Sequence, residues 1–171
     1  MKFSTTEEYG LRCMLQMARK GFPGQATILE LAQKENLTPA YVAKIMGILR
    51  REGLVQSLRG QSGGYRLAKP PREINVQEVL EALGGKFFTP EEYCSTPSGD
   101  HGACIHSLDC TLRSLWTGLS SAMGAYLGQC RLSDLVRTEP EMQKWIDDRR
   151  PQPSPWAGTT FQNPAAVQEE S

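Results

Sequence analysis

Apolar residues recur every three or four positions over two stretches near the start of the chain, which predicts two amphipathic helices. The first helix is predicted to run to about Arg19, with Thr5 or Thr6 as its N-terminal cap. The second is predicted over about 28–35, and Asn36-Leu37 makes the turn after it. Together with the helix that follows this turn, they form a helix-turn-helix pattern.

The third helix is predicted to begin after Thr38, whose side chain can cap it, with Pro39 at its first position. One face is apolar and should pack on the first two helices: Val42, Ile45, Met46 and Leu49. The opposite face is small and cationic: Ala40, Lys44, Gly47 and Arg51, with Tyr41 and Ala43 on its flanks. Such a face suits a helix that enters the major groove of DNA, and an ordinary solvated face is the alternative.

A glycine-rich run with arginines follows the third helix. Two short apolar stretches, 54–58 and 65–68, read as strands, and glycines crowd the segment between them. Glycine supplies the positive φ angles that a tight hairpin tip requires. Arg59 and Arg66 are expected to put positive charge on that tip. A cationic hairpin after a helix-turn-helix predicts the wing of a winged helix.

Two more helices are predicted downstream. Asn75 and Glu78 form a capping box at the start of the fourth helix, and Gly84-Gly85 ends it. Ser107 is expected to cap a long helix whose apolar residues recur at threes and fours: Leu108, Leu112, Leu115, Trp116, Leu119, Met123 and Leu127. Because the compact domain before it is expected to be complete, we predict dimerisation through this helix. Packing back onto its own domain is the alternative.

The fold class expected from these elements is mainly α with a small β-hairpin wing: a winged helix-turn-helix domain followed by a long dimerisation helix. The predicted divisions are 1–86 for the DNA-binding domain, 87–107 for a cysteine-rich loop, 108–137 for the long helix with a short C-terminal helix, and 138–171 for a tail. The tail is rich in Pro, Gln and Ser and is expected to be disordered.

The charge of the chain is unevenly distributed. Its net charge is zero, but residues 1–86 carry 13 Lys or Arg against 8 Asp or Glu, whereas residues 87–171 carry 6 against 11. Between 44 and 72, Glu52 is the only acidic residue among seven basic ones: Lys44, Arg50, Arg51, Arg59, Arg66, Lys69 and Arg72. Clustered positive charge of this kind predicts contacts with the phosphates of double-stranded DNA.

Nothing in the chain predicts a signal peptide or a membrane span, so a cytoplasmic protein without membrane contact is expected. Thiols stay reduced in that compartment, and the count of five cysteines is odd. The cysteines are therefore expected to be ligands or buried residues. Cys13 lies on the apolar face of the first helix and reads as a small buried hydrophobe, and Cys130 has no evident partner.

The other three cysteines lie in or beside one loop. Cys94, Cys104 and Cys110 are separated by nine and five residues, and the loop also holds His101 and His106. Cys110 is expected in the first turn of the long helix, where the exposed N–H groups favour a thiolate. The composition indicates a soft-metal site, although the close cysteine pair of a structural zinc site is missing. Iron–sulfur clusters tolerate looser spacing, and three unligated thiols are the alternative.

These residues together resemble the Rrf-type bacterial regulators, a family that includes IscR, NsrR and RirA. The resemblance rests on M-K-F-S-T-T-E-E-Y-G-L-R at 1–12, R-G-Q-S-G-G-Y-R-L-A at 59–68 and the three-cysteine loop, and it extends to about Arg137. It implies a homodimer that binds an iron–sulfur cluster through Cys94, Cys104 and Cys110. The resemblance also implies that the state of the cluster controls DNA affinity.

Three features depart from the family pattern. The first gap between the cysteines holds nine residues, whereas five are common in the family. Arg113 stands where IscR-like members have a histidine ligand, and Ala43 stands where IscR has a glutamate on its recognition helix. The type of cluster, with two or four irons, and the DNA motif therefore stay open.

The fourth ligand is also open. NsrR-like members use an acidic residue from the partner's first helix, and Glu8 matches that position. The alternative for Glu8 is a capping box with Thr5. His101, His106 or an exogenous ligand could also complete the site.

The resulting hypothesis is a transcriptional regulator, not an enzyme, whose dimer reads a two-fold-related DNA site under control of a cluster that senses iron, redox state or nitric oxide. The predicted DNA-binding residues are Ala40, Tyr41, Lys44, Arg51, Arg59 and Gly60. One alternative is a winged-helix regulator without a cluster that senses through thiol chemistry, zinc or a protein partner. Another is a thiol oxidoreductase with Cys110 as nucleophile and His106 nearby, but no C-x-x-C motif supports it.

Overall fold

The early helices of the computed structural model lie where the apolar periodicity predicts them. The structure describes residues 3–60, 63–86, 89, 94 and 109–149. Its helices are α1 (Thr5–Arg19), α2 (Ile28–Glu35), α3 (Pro39–Arg51), α4 (Val76–Gly84), α5 (Thr111–Gln129) and α6 (Glu139–Asp147). Its strands are β1 (Val55–Leu58) and β2 (Gly64–Leu67), and short 3-10 turns cover Pro71–Glu73 and Asp134–Val136. The expected fold class, a mainly helical winged helix-turn-helix, is confirmed.

Side-chain caps set the starts of the helices. Thr38 caps α3 and Asn75 caps α4 in a capping box with Glu78, as predicted. The prediction for α1 is wrong, because Ser4 is the cap and both threonines lie inside the helix. Ser4 Oγ accepts from the Glu7 N–H at 3.2 Å, and Glu7 Oε2 accepts from the Ser4 N–H at 2.7 Å. Only Ser4 has both the extended backbone and a glutamate three residues later.

The hydrophobic core lies where the first four helices meet. Cys13 of α1 is buried, and so is the predicted apolar face of α3: Val42, Ile45, Met46 and Leu49. Large side chains that are fully buried include Met14, Met17, Leu31, Ile45, Met46, Leu49 and Leu132. Among the described residues, no polar or charged residue is fully buried. Apolar burial is therefore the main force that holds these helices together.

Leu132 corrects the expectation that the compact domain is complete before the long helix. The chain after α5 returns to the core and pairs with the residues that precede α4. The Leu132 N–H donates to the Ile74 carbonyl at 2.8 Å, and the Val76 N–H donates to the Cys130 carbonyl at 2.9 Å. The helical core and the end of α5 therefore form one packed unit.

The wing is an antiparallel hairpin in which Val55 faces Leu67 and Ser57 faces Tyr65. A third segment joins it, since the Ala26 N–H donates to the Tyr65 carbonyl at 2.9 Å and the Tyr65 N–H donates to the Ala26 carbonyl at 2.8 Å. Ala26 directly precedes Thr27, the cap of α2. The wing is therefore hydrogen-bonded to the residue before α2, while β1 follows α3 along the chain.

The long helix α5 packs beside α4 through small residues. A Cβ at either Gly124 or Gly128 would lie 3.1 Å from the side chain of Gln77. Residues on α5 nearer its start are exposed: Leu112, Leu115, Trp116 and Leu119. Exposed apolar residues of this size on one helix are a candidate protein–protein surface.

Residues 139–149 belong to a second compact unit of the chain. Residues 139–147 are helical, so the prediction of a disordered tail from 138 is wrong for them. Within this unit the Arg149 guanidinium lies 4.3 Å from the centre of the Trp145 ring. None of the helices that the structure describes is long and apolar enough to cross a membrane.

Candidate DNA interface and cysteine site

The outer face of α3 is exposed and positively charged. Ala40, Lys44 and Arg51 are exposed, and Gly47 between them is half-exposed. In the part of the chain that the structure describes, neither Lys44 nor Arg51 forms an ion pair. This face has the small residues and the uncompensated cations that the sequence predicts for a groove-binding helix.

Tyr41 lies differently from its neighbours on α3. Its hydroxyl is 3.3 Å from Thr6 Oγ1, and its ring stands edge-on to the ring of Tyr9 at 6.5 Å between centroids. The side chain is half-buried and packs against the core. Tyr41 therefore ties α3 to the start of α1, and any contact that it makes with DNA must come from its exposed edge.

At the wing, Arg59 and Gly60 are exposed at the end of β1, and Gly60 has φ 103°. The Gly63 N–H donates to the Gly60 carbonyl at 2.9 Å and closes the hairpin, whose residues 61 and 62 lie outside the described part. The prediction that Arg66 adds charge to the tip is wrong. It lies in β2 opposite Gln56, and its guanidinium donates to the Gln56 side-chain oxygen at 2.9 and 3.1 Å.

The cysteine site centres on one arginine. Cys110 is the N-cap of α5, and its Sγ accepts from the backbone N–H of Arg113 at 3.4 Å. The Sγ of Cys94 accepts from Nη1 of the same arginine at 3.7 Å. The prediction that Ser107 caps the long helix is wrong, because α5 begins after Cys110. Cys110 therefore precedes the first turn instead of lying in it as predicted. Two of the three predicted ligands thus contact the same residue.

The remainder of the predicted site is not described. Cys104, His101 and His106 lie outside the described residues. Within the described residues, no three side chains of His, Cys, Asp or Glu come close enough to hold a metal ion, and Cys94 and Cys110 form no disulfide.

Glu8 is exposed on α1 and does not take part in helix capping. The predicted capping box with Thr5 is wrong, because Glu7 occupies the box with Ser4. Glu8 instead forms an ion pair with Arg12 at 3.0 Å, one turn later. Arg12 also lies 3.8 Å from the nearly buried carboxylate of Glu35 at the end of α2.

Cys13 and Cys130 are buried, as expected for structural residues. Burial, together with the nearby charge of Glu35, raises the pKa of the Cys13 thiol to about 12. Cys130 is buried where α5 ends, and its carbonyl joins the pairing with Val76. Neither thiol is placed to serve as an exposed ligand.

The sequence interpretation gave no contact or role to Arg113 or Arg12. Arg12 could have been found, because glutamate followed four positions later by arginine is a typical helical ion pair. Arg113 was noted only as the residue that replaces a histidine. Its contact with Cys94 joins positions 19 residues apart, for which local patterns give no signal.

Comparison with known proteins identifies similar transcriptional regulators. Residues 3–138 match the Rrf2 family profile, described as an iron-dependent transcriptional regulator. The regulator IscR of Cereibacter sphaeroides is 32% identical over 141 residues, which cover 81% of this chain and 89% of the relative.

Solved structures show the same fold. CymR, the global cysteine regulator of B. subtilis, is 29% identical with a TM-score of 0.62, covering 80% of this chain and 96% of that one. The IscR of T. potens is 23% identical with a TM-score of 0.60, covering 90% and 94%. Both structures share the overall fold of this chain.

Proposed function

Because this chain belongs to the Rrf2 family of transcriptional regulators, we propose that an iron–sulfur cluster held by Cys94, Cys104 and Cys110 controls its affinity for DNA. The observation that carries this proposal is the contact of both Cys94 and Cys110 with Arg113 at the start of α5. Thiols are the ligands that iron–sulfur clusters use. When bound, the cluster would supply a centre that responds to iron supply, redox state or nitric oxide.

The fourth ligand in this proposal is Glu8 from the partner subunit. Its carboxylate is exposed and is not needed for capping, which supports its availability. To reach a site on the partner it would leave Arg12, which already lies near Glu35. His101, His106 and an exogenous ligand remain the alternatives.

DNA is read by α3 and held by the wing. Lys44 and Arg51 contact bases and phosphates in the major groove, where the small Ala40 lets the helix approach closely. Tyr41 contributes from the flank of this face. Arg59 and Gly60 reach phosphate or the minor groove beside it. The uncompensated charges of the two exposed surfaces support this arrangement.

The regulator acts as a homodimer on a two-fold-related site. The exposed residues Leu112, Leu115, Trp116 and Leu119 of α5 form the surface between the subunits. A two-fold axis between two such helices would place two copies of α3 on half-sites of opposite orientation.

Cluster binding and DNA binding are connected through α5. Cys110 caps its start, and Cys130 follows its end, where the backbone is paired with Val76 beside the core. Fixing Cys94 against Cys110 would therefore act on the start of a helix whose end is paired with the DNA-binding core. A difference of about 1–3 kcal/mol in DNA binding between the two states is enough for a switch.

The test is an absorption spectrum with iron and sulfide counts on protein purified without oxygen, for the wild type and Cys104→Ala. We expect visible charge-transfer bands that the variant loses and that Cys130→Ala, a matched control with a buried cysteine, retains. A wild-type protein that stays colourless after reconstitution contradicts the cluster.

A regulator that senses by thiol chemistry is the second candidate. The similarity to CymR, the global cysteine regulator of B. subtilis, favours it, as does the position of Cys110 at a helix N-terminus. In this case a colourless protein would lose DNA affinity on peroxide treatment and recover it with a reductant.

A further inference from the structure

Arg113 contacts two sulfurs through different groups. Its backbone N–H donates to Cys110 Sγ at 3.4 Å, and its guanidinium donates to Cys94 Sγ at 3.7 Å. The backbone at this position is held by α5, and the Arg113 carbonyl accepts from Thr117 Oγ1 at 2.8 Å. The guanidinium therefore extends from a well-ordered first turn to a cysteine that precedes the helix.

Arg113 lies in the first turn of α5, where the positive end of the helix dipole disfavours a cation. Two of the groups that it contacts are sulfur atoms. A sulfur that binds a metal carries negative charge. A loaded site would therefore stabilise the charge of Arg113 at this position.

We propose that Arg113 is a positioning residue of the sulfur site: it holds Cys94 at the start of α5 before any group binds, and it donates to the Cys94 sulfur after binding. The role before binding depends only on the contacts above, and the role after binding rests on the proposed function. Arg113 is not a ligand, because a guanidinium stays protonated and has no electron pair to offer a metal.

Donation by a cation to a ligating sulfur stabilises the state with the added electron. Hydrogen bonds to the sulfurs and the net charge around a cluster both set its reduction potential. A site with this arginine should therefore accept an electron more readily than one with a neutral residue at 113.

The first experiment uses the metal-free protein, so it does not depend on a cluster. The side-chain ¹⁵N–¹H signal of Arg113 is assigned by its loss in Arg113→Lys. We expect Cys94→Ala to shift this signal and Cys130→Ala to leave it in place. An identical signal in wild type and Cys94→Ala would overturn the positioning role.

The second experiment measures the midpoint potential of the loaded protein under anaerobic conditions. We expect a more negative potential in Arg113→Gln, an intermediate value in Arg113→Lys and no change in Arg131→Gln, which alters an exposed arginine beyond α5. Equal potentials in wild type and Arg113→Gln would overturn the electronic role. A protein that stays colourless contradicts the electronic role together with the proposed function. The signal of Arg113 then tests the positioning role alone.

Discussion

The backbone of Leu132 is hydrogen-bonded to that of Ile74, with the Leu132 N–H 2.8 Å from the Ile74 carbonyl. The side chains of both residues are fully buried. A residue beyond the long helix thus completes the core of the DNA-binding domain, so the stability of that domain depends on chain that follows α5.

Leu132→Ala should therefore destabilise the whole domain. Loss of a fully buried leucine removes its transfer free energy and leaves a cavity, for which about 2–5 kcal/mol is typical. Urea unfolding followed by circular dichroism measures the change. Val136→Ala, in the same segment but exposed, is the control and should change the unfolding free energy by less than about 0.5 kcal/mol. Equal effects of the two substitutions would contradict the burial of Leu132.

Arg59→Ala should weaken binding to all DNA sequences alike. Its guanidinium is expected to contact phosphate, so its removal should also reduce the slope of log K against log salt by about 0.9. Fluorescence anisotropy at several salt concentrations, on specific and random duplexes, measures both quantities. Arg131→Ala is the control. If the slope of Arg59→Ala equals that of the wild type, the wing does not touch the phosphates.

Leu115→Asp should convert the dimer to a monomer. The leucine is 59% exposed in the single chain and lies on the proposed subunit surface. A carboxylate there would be desolvated without a partner on association. Sedimentation velocity measures the mass, and Ser121→Asp, an exposed position on the same helix, should stay dimeric if it lies outside the interface. A dimeric Leu115→Asp protein would place the interface elsewhere.

Stability should fall in alkaline solution because of Cys13. Burial raises the pKa of this thiol from its ordinary value of 9.0 to about 12. The folded protein therefore keeps the proton at a pH where the unfolded chain has lost it, and the stabilising contribution present below pH 9 is lost progressively as the pH rises toward 12. Urea unfolding at pH 8 and pH 11 should show a steeper decline for the wild type than for Cys13→Ala. Parallel declines would show that the thiol does not contribute.

The parts of the fold that were predicted correctly depend on nearby residues. The start of α3 followed from Thr38 and Pro39, and its buried face followed from a regular spacing within 13 residues. The cap of α1 was missed because Ser4, Thr5 and Thr6 are all good caps, and both Ser4 and Thr5 have a glutamate three residues later. Only the extended backbone of Ser4 distinguishes it from Thr5.

Contacts between distant positions were not predictable in the same way. The pairing of Leu132 with Ile74 and the contact of Arg113 with Cys94 join separate segments, and no local pattern specifies such partners. The cationic face of α3 was predictable because exposure follows from helical periodicity. Arg66 was misplaced because the sequence does not specify which residues of the hairpin form its tip and which form its strands. In the structure Arg66 lies within β2.

The pairing of Ala26 with Tyr65 has a consequence for the DNA that this protein can bind. It attaches the wing to the residue before α2, while β1 follows α3 directly, so the wing is anchored on both sides of the helix-turn-helix. The distance between Arg59 and Lys44 is then a property of the folded domain and not of the complex. A target whose groove width or phosphate spacing differs from this distance must deform to be bound, and sequences that deform easily gain affinity at positions that no side chain touches.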